Sequence, residues 1–206
     1  MNPDTIDEAK KLRAAFEKRA KKAANVVAVI CPPAPFLSEM VKGTSALHIG
    51  SQDVDSRPRG AFTGSVSARQ VREAGAEYTI IGHSERRAAG DTNEVVAQKV
   101  AQALEAGLRV IVCVGERERD AHGKYLRDIR EQILAFLAPV DKKQIRWITV
   151  AYEPVWAIGK SYNIALSPAD IHEMSIYIKK TIAEIAGKDL ALKTQVLYVD
   201  AGRCYQ

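Results

Sequence analysis

The sequence predicts an α/β protein built on a parallel sheet. Six short runs of β-branched and other apolar residues alternate along the chain with segments in which apolar residues recur at helical spacing. The runs are apolar on both faces, which is typical of parallel strands covered by helices. No linker or low-complexity segment interrupts the alternation. We therefore expect a single domain, residues 1–206, organised around one core.

The elements are predicted from local signals, in chain order. A capping box from Thr5 to Glu8 precedes the first helix. Gly107 ends a long helix that starts near Thr92, and Ser167-Pro168 caps the last helix. Further helices are predicted near 36–41, 68–74 and 125–137, and a loop at 83–90. The predicted strands are 26–31, which Pro32-Pro33 ends, 46–51, 78–82, 109–114, 147–151 and 195–199.

Composition and charge favour an ordinary globular protein. The 206 residues are 47% hydrophobic and 27% charged, with a net charge of +5 at pH 7. The basic residues of the first helix alternate with acidic ones, which favours a solvated helix face over a nucleic-acid or membrane surface. No run approaches the roughly 18 apolar residues of a membrane span. Cys31, Cys113 and Cys204 lack CxxC spacing, which favours free thiols in a reducing compartment. We expect a cytoplasmic protein without a signal peptide.

Polar side chains follow several predicted strands at their carboxyl ends. His83, Glu116 and Glu153 do so, with Gln52 behind them, and in a parallel array these ends open on one face. A glutamate base beside a neutral imidazole suits proton abstraction next to a carbonyl. Plainer interpretations stay open: a strand-end cap for Glu153, a structural role for His83, and an ion-pair partner for Glu116. Residues 84–87 fit a loop salt-bridge network.

Five longer motifs identify a family resemblance. In order and spacing they resemble triosephosphate isomerases along nearly the whole chain, which implies a TIM-barrel-derived (βα) fold. The motifs are Cys31-Pro32-Pro33, Gly60-Ala61-Phe62-Thr63-Gly64, Ile81-Gly82-His83-Ser84-Glu85-Arg86-Arg87, Cys113-Val114-Gly115-Glu116 and Ala151-Tyr152-Glu153-Pro154-Val155-Trp156-Ala157-Ile158-Gly159.

The resemblance implies interconversion of dihydroxyacetone phosphate and glyceraldehyde 3-phosphate, as in glycolysis and gluconeogenesis, without a metal or cofactor. Glu153 matches the catalytic base, and His83 matches the group that polarises the carbonyl; these roles are established for the family. Glu85 matches a carboxylate that supports the catalytic groups.

The same resemblance implies two mobile or docking segments. Pro154, Val155 and Trp156 match the first hinge of the substrate lid, and Gly159 matches a substrate-binding position. Thr63 and its loop match the segment that docks into the neighbouring subunit of the family dimer.

Some family features have no counterpart in this sequence. The family's first strand, with its Asn and substrate-binding Lys, and its eighth strand with a Gly-Gly loop are not matched. Lys160 follows Gly159 as though two lid residues were removed, and Val199-Asp200 follows Tyr198 in place of Gly-Gly-Ser. Such glycine N–H groups bind phosphate in the family. We therefore expect a six-stranded incomplete or rearranged barrel with little or no activity alone. Completion by domain swapping or a second chain, and a non-catalytic fragment that associates with itself through open edges, remain alternatives.

Overall fold

The computed structural model describes residues 2–23, 25–43, 46–158 and 166–199. Its helices are α1 Ile6–Ala20, α2 Leu37–Val41, α3 Ala68–Glu73, α4 Ser84–Ala88, α5 Asn93–Glu105, α6 Lys124–Leu137, α7 Pro168–Ala186 and α8 Lys188–Lys193. Its strands are β1 Val29–Ile30, β2 His48–Ser51, β3 Tyr78–Ile81, β4 Arg109–Val114, β5 Ile148–Tyr152 and β6 Val196–Tyr198. Short 3₁₀ helices cover Ala34–Phe36, Lys142–Trp147 and Val155–Ala157.

The six strands form one parallel sheet in sequential order, β1-β2-β3-β4-β5-β6. The register of the central pair runs from Val110 opposite Ile148 to Val114 opposite Tyr152. Within the described part of the chain, β1 and β6 are edges that pair on one side only. The sheet curls into half of a barrel, so the predicted six-stranded parallel α/β array is confirmed.

The core lies between the sheet and the helices on its outer face. Val110 and Val150 of the central strands are fully buried, as are Ile133 of α6 and Ile178 of α7. These helices cover the sheet with their apolar stripes, as the helical spacing of the sequence predicts. The central strands are therefore fixed on the helical side, and their carboxyl ends form a rigid rim for a site.

Local structure differs from the sequence prediction in three places. The strand predicted at 26–31 shrinks to Val29–Ile30, because Val26 and Val27 are 62% and 64% exposed and have no sheet neighbour to pack on. The segment predicted as a loop after His83 contains helix α4, for which the His83 ring supplies the cap. Helix α8 follows Gly187 and was not predicted, since that glycine reads as the end of the preceding helix.

The concave face of the sheet borders an open cavity of about 1580 Å³ beside β1. His83 and Gln52 reach its lining from the carboxyl ends of the strands. Four basic residues line the cavity and could contact an anion there: Arg13, Arg57, Arg86 and Lys99.

Candidate active site

His83 and Glu153 come together at the carboxyl ends of the central strands. His83 follows β3 after Gly82, and Glu153 follows β5 directly. Strand β4 pairs with both, so the two residues rise from the same rim of the sheet. The structure thus brings together the two side chains that the sequence proposed as base and electrophile.

The backbone of α4 fixes the state of the His83 ring. The backbone N–H of Glu85 donates to Nδ1 of His83 at 3.3 Å. An imidazole nitrogen that accepts a hydrogen bond carries no proton, so this bond assigns the neutral ring with its proton on Nε2. Nε2 lies 3.3 Å from Oε1 of Glu153. His83 therefore presents a neutral N–H donor where the carboxylate lies.

Glu153 is held by Ser84 in a buried position. Its Oε2 accepts the backbone N–H of Ser84 at 2.9 Å, and its Oε1 accepts the Ser84 hydroxyl at 2.7 Å. The residue is 3% exposed. A buried carboxylate needs such donors. Ser84 therefore fixes the carboxylate beside the His83 ring.

Arg87, which the sequence placed in a loop salt-bridge network, lies under the site and instead bonds to neutral oxygens. Its guanidinium donates to the carbonyl of Gly82 at 2.9 Å and to Oδ1 of Asn93 at 2.9 Å. Burial lowers the pKa of Arg87, while the charge of Glu153 acts in the opposite direction. Burial, and then the charge of Glu153, raises the pKa of the Cys113 thiol. Arg87 ties β3 and α5 together and adds positive potential beneath the carboxylate.

A buried ion cluster anchors the other side of α4. Nζ of Lys99, a residue only 3% exposed, lies 2.7 Å from Asp53 and 2.6 Å from Asp91. Nε of Arg86 lies 2.8 Å from Asp53. The salt-bridge network predicted for residues 84–87 is thus present through Arg86, and Lys99 extends it. The cluster connects α4, α5 and the loop after β2.

The chain is similar to known proteins along most of its length. A family model described as triosephosphate isomerase matches residues 1–199. The chain belongs to the triosephosphate isomerase family. The family member from Roseiflexus sp. (strain RS-1) is 42% identical over 176 residues, which cover 82% of this chain and 68% of that relative. The family member from Symbiobacterium thermophilum is 37% identical over 94% of this chain and 77% of its own length. A triosephosphate isomerase of Zygosaccharomyces bailii is 37% identical over 87% of this chain and 72% of its own length.

Glu85, which the family resemblance gave as a supporting carboxylate, does not bring that group into the site. Its side chain is 88% exposed, and its Oε2 is 3.9 Å from Nδ1 of His83. The contact to His83 within hydrogen-bond distance is that of its backbone N–H. A catalytic role for the Glu85 carboxylate stays a prediction.

Glu116 connects the site to the segment that resembles the lid hinge. Its Oε1 accepts the Tyr152 hydroxyl at 2.9 Å and the Trp156 indole N–H at 2.8 Å. These described partners are neutral, unlike the basic partner predicted from sequence. Burial and the charge of Glu116 raise the pKa of Tyr152. Pro154 is buried and Val155–Ala157 forms a 3₁₀ turn. Gly159 lies outside the described residues.

The loop that carries Thr63 is internally braced. Thr63 is exposed, and nearby the Arg57 guanidinium stacks 3.7 Å from the centre of the Phe62 ring. Arg57 also bonds to Asp55 at 2.7 Å, which holds the pKa of that carboxyl well below its usual range. Docking of Thr63 into a neighbouring subunit remains a prediction.

The described residues offer neither a cluster of metal-ligating side chains nor a membrane-spanning helix. In residues 2–23, 25–43, 46–158 and 166–199, no group of three or more His, Cys, Asp or Glu side chains is arranged to hold a metal ion. No helix within those ranges combines the length and apolar character that crossing a membrane requires.

Proposed function

We propose that this chain carries the proton-transfer groups of a triosephosphate isomerase site. The observation that carries the proposal is the 3.3 Å separation between Nε2 of His83 and Oε1 of Glu153, with Nδ1 of the same ring occupied by a backbone N–H. A base and a neutral hydrogen-bond donor this close can act on adjacent atoms of one small substrate. We also propose the cytoplasm, where glycolysis runs, as its location.

The chemistry needs one proton to move between adjacent carbons of a triose phosphate and a second to move between the oxygens that those carbons carry. Glu153 removes the proton from the carbon beside the carbonyl, while the Nε2–H of His83 donates to the carbonyl oxygen as negative charge develops there. The proton then returns to the neighbouring carbon, and the hydroxyl proton passes from the oxygen of the first carbon to the former carbonyl oxygen, so the ketose and the aldose interconvert with no net gain or loss of atoms. Charge on the oxygen is stabilised without a charged imidazole, as is established for this family.

We further propose that turnover by this chain alone is low. The basic residues that line the cavity already bond to groups of the chain: Arg13 to the carbonyls of Met40 and Lys42, Arg57 to Asp55, and Arg86 and Lys99 to Asp53. A phosphate would have to displace these partners. The sequence also has Asp200 near the place where the resemblance implies glycine N–H groups for phosphate, and its negative charge opposes an anion.

A coupled isomerase assay tests this proposal. We expect weak turnover that is lost in Glu153→Gln and strongly reduced in His83→Gln. Glu105→Gln and His172→Gln change the same residue types at exposed helix positions and serve as matched controls. Turnover in the unmodified chain that equals that of Glu153→Gln would contradict the proposal. Strong turnover that rises with the square of chain concentration would instead favour an active site completed by a second chain.

We also propose that the chain associates with itself through its sheet edges. Strand β6 presents Leu197 at 46% exposure, and Val26 and Val27 before β1 are more than 60% exposed. An unpaired apolar strand edge is a template for another strand. Leu197→Lys should shift a concentration-dependent mass distribution, measured by sedimentation, towards the monomer. Thr63→Arg tests the loop contact separately, and a monomer at all concentrations would contradict both contacts.

A further inference from the structure

The last residue of β4 and the two residues after it hold the backbone of Glu153. The N–H of Glu153 donates to the carbonyl of Val114 at 2.9 Å, and the N–H of Val155 donates to the carbonyl of Glu116 at 3.0 Å. The pairing of β4 with β5 thus continues past the ends of both strands. Gly115 lies between these two bonds, directly against Glu153.

Gly115 is required by this close approach. A Cβ atom added to Gly115 would lie 1.8 Å from the carbonyl oxygen of Glu153 and 2.6 Å from its carbonyl carbon. Gly115 is not among the glycines with a positive φ, so its backbone conformation does not explain why a glycine stands at this position. Any side chain at this position would push the Glu153 peptide away from β4.

Gln132 of α6 fixes Gly115 from the other side. Its Oε1 accepts the N–H of Gly115 at 3.0 Å, and its Nε2 donates to the carbonyl of Gly115 at 2.9 Å. One side-chain amide therefore satisfies both backbone polar groups of the glycine. Ile129 and Ile133, on the same helix, are fully buried, so Gln132 extends from a rigid support.

We propose that Gln132, acting through Gly115, is a positioning residue for Glu153. The inference rests on the proposed role of Glu153 as the base. The Glu153 carboxylate meets Ser84 and His83 only when its own backbone is held at the present distance from β4. A reacting group misplaced by about 1 Å can cost about 100-fold in rate.

The backbone amide of Ser84 is a direct reporter of this positioning. It donates to Oε2 of Glu153 at 2.9 Å, and a bond to a carboxylate moves an amide proton signal downfield. Gln132→Met keeps the side-chain length and removes both bonds to Gly115, whereas Gln132→Glu keeps an acceptor for the Gly115 N–H. Gln98→Met makes the matched change at an exposed helix position.

We expect the Ser84 amide signal in ¹H–¹⁵N spectra to move upfield in Gln132→Met and by less in Gln132→Glu. It should stay in place in Gln98→Met. Gly115→Ala should produce the largest shift. If Gly115→Ala does not fold, Gln132→Met and Gln132→Glu still test the positioning of Glu153. A folded Gln132→Met or Gln132→Glu protein with a lower Tm and an unmoved Ser84 signal would overturn the proposal, because Gln132 would then only stabilise the fold.

This readout separates the inference from the proposed function, since it needs no turnover. A shifted Ser84 signal in a chain without Glu153-dependent turnover would leave the positioning intact and contradict the function. In a chain with such turnover, Gln132→Met should lower kcat by up to about 100-fold and leave KM nearly unchanged. An unmoved signal together with Glu153-dependent turnover would contradict the positioning alone.

Discussion

The centre of the sheet and its edges differ sharply in packing. In the centre, Val110 and Val150 are fully buried, and the pairing of β4 with β5 continues past the strand ends to Glu153. At one edge, β1 is two residues long. At the other edge, β6 is three residues long and Leu197 is 46% exposed.

The pair His83 and Glu153, which we propose as the proton-transfer groups, is therefore held by the well-packed part of the molecule. Both His83 and Glu153 follow central strands, and their supports, Ser84 and Arg87, lie in the same region. The edges contribute neither group. Changes at the edges should therefore alter assembly and substrate binding while the His83–Glu153 geometry persists.

The largest expected effect is the loss of stability caused by a substitution at the centre of the sheet, compared with one at its edge. Ile148→Ala in β5, where the side chain is 4% exposed, should lower the free energy of unfolding by about 2–5 kcal/mol because it leaves a cavity. Leu197→Ala in β6 should cost less than about 1 kcal/mol, because nearly half of that residue is already exposed. Urea denaturation measures both. Equal costs would mean that β6 is packed as tightly as the centre.

Alkaline pH should weaken the fold through Cys31 and Cys113, whose thiols are desolvated in the described part of the chain. Burial raises the pKa of Cys31 from 9.0 to about 12 and also raises that of Cys113. Above pH 9 the unfolded chain loses the thiol proton while the folded chain keeps it. The free energy of unfolding therefore falls with rising pH, by about 1.4 kcal/mol per pH unit for each thiol, and this stability is present below pH 9.

Cys31→Ala and Cys113→Ala should each remove the contribution of one thiol to the fall in the free energy of unfolding with pH. Denaturation from pH 8 to 11 measures this change. Cys113 lies in the central strand β4, whereas Cys31 follows the edge strand β1. A slope that depends on Cys113 but not on Cys31 would show that the β1 edge opens in the folded state.

The smallest effect compares the two tryptophans. Trp156→Phe removes the indole bond to the buried carboxylate of Glu116 and should cost about 1–3 kcal/mol. Trp147, 38% exposed at the amino ends of the strands, packs against Arg109 and Arg146, so Trp147→Phe should cost about 0.5–1 kcal/mol. Thermal unfolding measures the two side by side. A reversed order would indicate that the Glu116 bond adds no stability.

The sequence predicted the centre of the fold better than its edges. The strand at 109–114 was predicted to the residue, because a strand buried on both faces has an unmistakable apolar run. The strand at 26–31 was predicted too long, because Val26 and Val27 have high β-propensity whether or not a neighbouring strand covers them.

The candidate site was predictable in its main residues and less so in their supports. The strand-end positions and family motifs pointed to His83 and Glu153. Helix α4 was missed because a histidine ring nitrogen caps it, which is not one of the usual cap residues. The burial of Lys99 depends on Asp53 and Asp91 from two other segments, and no local pattern reveals such a meeting.

Proton exchange into dihydroxyacetone phosphate tests the central claim most directly. In D₂O, proton abstraction beside the carbonyl introduces deuterium at that carbon, and NMR detects it even when net isomerisation is slow. We expect incorporation by the unmodified chain and by Glu105→Gln, and none above the uncatalysed rate in Glu153→Gln. Equal incorporation by the unmodified chain and Glu153→Gln would contradict the assignment of Glu153 as the base.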